Sequence, residues 1–104
     1  MLDKGTVITT ARRYANAVTN ELSPMAIVLY GSHAKGEAHE ESDIDIAVIF
    51  DSFSGDWLKT SNRLWRLTED ISLYIEPVLL DSTIDKSGFV KNIMSTGEIL
   101  YQNH

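Results

Sequence analysis

Two aspartates set two residues apart are the first chemically suggestive feature of this chain. They lie in Ser42-Asp43-Ile44-Asp45-Ile46. A strand turns successive side chains to opposite faces, so Asp43 and Asp45 point the same way, about 6–7 Å apart along the strand. Ile44 and Ile46 face the other side, where burial anchors the strand. Adjacent carboxylates repel unless a cation sits between them. Hard oxygen ligands at this spacing suit Mg²⁺ or Mn²⁺, which keep waters and accept substrate phosphate oxygens as remaining ligands. Upstream, Gly31-Ser32 directly follows six apolar residues, 25–30. A glycine there lets backbone approach a ligand closely. Ser32 begins a short helical turn whose free N–H groups favour an anion such as a triphosphate. Lys35 and Ser42 are further candidates for phosphate contacts. Alone, an Asp-X-Asp is more often a solvated strand start, and a Gly-Ser an ordinary turn; the combination carries the signal.

These residues need a scaffold, and the pattern of the chain supplies one. Between 6 and 22, Val7, Ile8, Ala11, Tyr14, Ala15, Val18 and Leu22 recur at steps of three and four, the stripe of an amphipathic helix. Thr6 is its expected N-cap, and Ser23-Pro24 stops it. Residues 25–30 read as a strand covered on both faces, and 43–50 as a second. Asp56 caps a helix running from 57 to about 72, with Trp57 and Trp65 on its apolar stripe. Residues 73–80 form a third strand, which Pro77 places at an edge or a bulge. A short helix over 86–95 ends at Gly97, and 98–101 is a last strand. This order predicts an α+β fold: a small mixed β-sheet with helices packed mostly on one face, the other left to carry a site.

The 104 residues, 43% hydrophobic, suffice for a single domain, 1–104. Nine basic residues against fifteen acidic ones give a net charge of −6. Such a chain has no electrostatic footprint for a phosphate backbone, so direct nucleic-acid binding is not expected. A single nucleotide held through a divalent metal remains compatible. The absence of cysteine excludes disulfides, thiolate zinc and a Cys nucleophile. No apolar run nears the roughly 20 residues of a membrane helix, and the first residues are polar, so a cytoplasmic protein is expected. His33 and His39 read as surface residues beside the site. Arg12, Arg13, Arg63 and Arg66 read as exposed helix charges.

Gly-Ser, ten residues and then Asp-X-Asp, both on strand ends, resembles the signature of the DNA polymerase β-type nucleotidyltransferase superfamily. The whole chain is similar to its smallest members, the minimal nucleotidyltransferases. The similarity runs from 25 to 101 and is sharpest between 29 and 48, and Gly97-Glu98-Ile99-Leu100-Tyr101 resembles the family's usual close. The resemblance implies a nucleotidyltransferase fold and two divalent ions, Mg²⁺ or Mn²⁺, held by Asp43, Asp45 and a third carboxylate. Glu76 matches that third position, ahead of its rivals Asp81, past the strand's end and on the other parity, and Asp70, in the preceding helix; the family usually has Asp there, and the Glu side chain is one methylene longer. Gly31 and Ser32, with Lys35 and Ser42, would hold the nucleotide. The implied activity moves AMP from ATP to a hydroxyl. The implied acceptor is a tyrosine of a small, all-helical HEPN-type toxin encoded nearby, so that the chain acts as antitoxin. The alternatives are a non-catalytic module that masks its partner, and a small-molecule transferase of the aminoglycoside type.

Overall fold

The three-and-four periodicity becomes α1 (Lys4–Thr19), which buries Val7, Ala11, Tyr14, Ala15 and Val18. The computed structural model describes residues 4–35, 43–85 and 87–103. Because α1 already includes Lys4 and Gly5, Thr6 lies inside the helix and is not its N-cap. The chain then leaves the helix through a turn in which Leu22 N–H donates to the Val18 carbonyl. The apolar run becomes β1 (Ala26–Tyr30), followed at once by a single helical turn, α2 (Ser32–Lys35). The acidic strand is β2 (Ile44–Phe50). Next come α3 (Trp57–Thr68), β3 (Ile75–Asp81), a 3₁₀ turn over Ser82–Ile84, α4 (Phe89–Thr96) and β4 (Glu98–Gln102). Asp56 does cap α3, its carboxylate accepting from Lys59 N–H at 3.0 Å.

The four strands lie in the order β3-β2-β1-β4. β1 runs antiparallel to both β2 and β4, while β2 and β3 are parallel and joined through α3, so the sheet is mixed. Pro77 sits in β3, an edge strand, where a missing N–H costs least.

Each strand gives one row of side chains to each face. Ile27, Leu29, Ile44, Ile46, Val48, Ile75 and Leu79 form the first face, under α1 and α3. The two helices are tied together there by Tyr14, whose buried hydroxyl donates to the Leu64 carbonyl at 2.7 Å. Burial without a charged partner pushes that phenol far above its ordinary value. On the second face, Ala26, Val28, Ala47 and Ile49 lie under Val90 and Ile93 of α4. The helices therefore pack mostly on one face, as the pattern implies, but α4 covers part of the other. Small side chains at Ala26 and Ala47 let it approach. Gly97 serves the same closeness: a Cβ there would stand 2.7 Å from the carbonyl oxygens of Ile93 and Leu29. Its φ of −85° is not left-handed, so the expected helix-ending conformation is replaced by a packing demand. Asp85 caps α4 from upstream, accepting from Val90 N–H at 2.9 Å and Lys91 N–H at 3.1 Å.

The two tryptophans depart from the sequence expectation. Trp57 and Trp65 are 43% and 46% exposed. The buried stripe of α3 runs instead through Leu64 and Thr68, and Trp65 sits one position off it.

Candidate active site

The register of the sheet assembles the site. Tyr30 of β1 is paired with Asp45 of β2, and Asp45 with Glu76 of β3. Paired residues of neighbouring strands share a face. Tyr30, Asp45 and Glu76 thus form one row on the second face, and Phe89 of α4 meets the Tyr30 ring beside it. Ile44 and Ile46, which flank Asp45, are fully buried on the opposite face and fix the strand. Asp43 stands just before β2, exposed.

The electrostatics identify these groups as neighbours. Burial, then the Asp43 charge, raises the Asp45 carboxyl above its ordinary value; the nearby His33 partly offsets this. Glu76 is raised by desolvation and then by the charges of Asp43 and Asp45, and hydrogen bonds join it to both. The Tyr30 hydroxyl is pushed up by burial and by the charges of Asp45 and Glu76.

Gly31 completes the turn that leads away from this row. Its φ is +77°, a region that L side chains rarely adopt, and a Cβ would collide with the Asp45 carboxylate. Two independent constraints therefore require glycine there. Ser32 and Lys35 begin and end α2, beside Gly31 in the chain, but their side chains lie outside the described part. Ser42 and His39 also fall outside the described residues.

His33 was expected beside the site but at the surface, and Tyr30 was not expected here. His33 is 8% exposed rather than superficial, because α2 turns it inward, and its charge acts on Asp45. Its place one residue after Gly-Ser was the available signal. Tyr30 reads from sequence as the last apolar position of a strand; only the pairing of β1 with β2 places it beside the acids.

The donor set, two aspartates and a glutamate, fits a hard divalent cation, which would relieve the repulsion among them. Among the described residues, however, no group of three or more His, Asp or Glu side chains is already arranged to hold a metal ion. No described helix is long and apolar enough to cross a membrane.

The sequence matches the family described as polymerase beta, nucleotidyltransferase, over residues 14–104. Solved structures share the fold. A Sulfolobus solfataricus protein with a provisional nucleotidyltransferase assignment superposes with a TM-score of 0.73 at 17% identity, covering 96% of this chain and 84% of that one. A toxin–antitoxin complex with AMP-PNP gives 0.61 at 22% identity, covering 99% and 76%. A mutant of the toxin–antitoxin pair MntA–HpeT, with two aspartates two positions apart replaced by glutamate, gives 0.58 at 22%, with the same coverage. No curated protein matches the chain.

Proposed function

This chain belongs to the polymerase beta nucleotidyltransferase family, and on that footing we propose that it transfers AMP from ATP to a hydroxyl of a toxin partner. The carrying observation is the row on the second face. Asp45 and Glu76 are paired across β2 and β3 and hydrogen-bonded; Asp45 is raised in pKa by burial and by Asp43, and Glu76 by desolvation and by the charges of Asp43 and Asp45. Asp43, Asp45 and Glu76 would hold two Mg²⁺ or Mn²⁺ ions. When bound, such ions neutralise the triphosphate and the charge that develops on the attacking and leaving oxygens. Gly31 brings backbone close to the β- and γ-phosphates, with Ser32, Lys35 and Ser42 beside it in the chain. Glu76 takes the proton of the acceptor hydroxyl at its carboxylate. The acceptor oxygen bonds to the α-phosphorus, the bond from that phosphorus to the bridging oxygen breaks, and pyrophosphate leaves.

The toxin–antitoxin neighbours support a toxin partner. The acceptor we favour is a tyrosine of a small all-helical HEPN-type protein encoded nearby, modified in the cytoplasm, with residues 1–104 acting as one domain. The test is transfer from labelled ATP to the genomic neighbour, with Mg²⁺ and with EDTA. Label that appears on the partner's tyrosine only with Mg²⁺ supports the reading. One observation favours a second reading, a module that masks its partner without chemistry: Glu76 stands where the family usually has Asp. Tight partner binding with no label under either condition would select it.

A further inference from the structure

A cavity of about 320 Å³ lies beyond the far end of β3, between α3 and α4. Its apolar walls are Trp57, Leu80, Ile84 and Phe89, and Asp81 and Asp85 also line it. Three of these apolar side chains are partly open to solvent: Trp57 at 43%, Ile84 at 64% and Phe89 at 38%. Exposed apolar groups gathered around one concavity mark a contact site more than scattered ones do.

The walls are held from behind. Trp57 meets Phe53 edge to face at 5.2 Å, and Phe53 meets Phe50 in the same way at the same distance. Asp81 ties the loop after β2 to the 3₁₀ turn, accepting from Phe53 N–H at 2.7 Å and Thr83 N–H at 2.8 Å. Asp85 pins the start of α4. Phe89 has a second contact: its ring meets that of Tyr30 at 5.6 Å, nearly perpendicular. One side chain, Phe89, thus both lines the cavity and touches the row that contains Asp45 and Glu76.

Two acids line this cavity, and no described lining residue is basic, in a chain of net charge −6. A triphosphate is repelled there. We propose that the cavity docks the acceptor protein, by receiving an aliphatic or aromatic side chain flanked by lysine or arginine. The anchor fills the apolar space, and the flanking cations face Asp81 and Asp85. Apolar anchors seated in a preformed pocket carry most of the affinity of an interface, while rim charges add specificity and rate. The identity of the occupant as acceptor rests on the proposed transfer reaction; the docking itself does not.

The test uses the full chain, isotope-labelled, and three short synthetic peptides: Leu-Phe flanked by lysines, Leu-Phe flanked by glutamates, and Gly-Ser flanked by lysines. Backbone and methyl NMR shifts are followed, with MgATP titrated separately. The lysine-flanked Leu-Phe peptide is expected to shift Ile84 and Phe89, and to bind at least about tenfold more tightly than either control. Ile84→Ser, at a mostly exposed position, is expected to weaken it by a similar factor. Equal binding of all three peptides, shifts that avoid Ile84 and Phe89, or indifference to Ile84→Ser would overturn the proposal. MgATP is expected to shift Gly31 and Asp45. Should MgATP fail there while the peptide still fills the cavity, the transfer reading falls and the docking site stands.

Discussion

The chain holds two sets of acids on and beside β3 that are treated in opposite ways. Asp81, at the end of β3, accepts hydrogen bonds from Ser52, Phe53 and Thr83 N–H groups and from the Thr83 hydroxyl. Its carboxyl is held below its ordinary value, first by Thr83. Asp85 likewise accepts from two N–H groups of α4. Asp45 and Glu76, at the other end of the sheet, are both raised, first by desolvation and then by neighbouring acids. An acid surrounded by donors holds the fold together and stays charged without a cation of its own. An acid surrounded by acids holds unspent affinity for a cation, at a cost to the protein without one.

The largest effect should come from removing the second set. Asp43→Asn with Asp45→Asn is expected to abolish transfer and to leave the melting temperature unchanged or higher, because the repulsion is gone. Loss of folding, seen by circular dichroism, would place these aspartates with the structural acids instead. Glu76→Gln should lower the transfer rate by about 10²–10⁴-fold, the usual range for a lost general base, with a smaller change in nucleotide affinity. Glu76→Asp should retain activity. A transfer rate untouched by Glu76→Gln would take Glu76 out of the contrast.

Gly31→Ala is the next step down. The left-handed backbone alone costs about 1–2 kcal/mol for a residue with a Cβ, measurable by urea unfolding. Transfer should fall as well, since the new methyl displaces the Asp45 carboxylate.

The smallest effect is read in pH. The folded state binds protons to Asp45 and Glu76 more tightly than the unfolded chain does. Their contribution is therefore present in acid and lost as pH rises above the ordinary 3.8 and 4.5 through the raised values. Asp81 has the opposite sign: its contribution is present above 3.8 and lost as pH falls through its lowered value. Melting temperature without metal should decline on the alkaline side of this window, and Mg²⁺ should restore it. Asp81→Asn should flatten only the acid side. A profile unchanged by Mg²⁺ would erase the distinction between the two sets.

Much of this was legible in the sequence, where a local rule decides the outcome. Alternation places Asp45 opposite Ile44 and Ile46; the missing N–H sends Pro77 to an edge; a carboxylate just before a helical stripe makes Asp56 a cap. What was not legible depends on packing between distant segments. Tyr30 joins the acids only through the β1–β2 register. His33 is buried because of where α2 sits. Gly97 is explained by Leu29 and Ile93 crowding it, not by its own backbone. Trp65 is apolar at a helical spacing, but the sheet chooses which stripe of α3 it covers, and that stripe runs through Leu64 and Thr68. The same applies to α4: nothing in 89–96 says which face of the sheet it will lie on.

The order of the strands also has a consequence for how the chain acquires its shape. The row of Tyr30, Asp45 and Glu76 is contributed by β1, β2 and β3, neighbours in sequence as well as in space. β4 instead closes the sheet from far along the chain, pairing Ala26 with Gln102, 76 positions away. Closing a loop that long is entropically costly and slow compared with hairpin formation. Folding should therefore proceed from the β1–β2 hairpin outward, with docking of β4 beside β1 as its late event. During synthesis, the outer edge of β1 would wait unpaired until the last residues of β4 have been added.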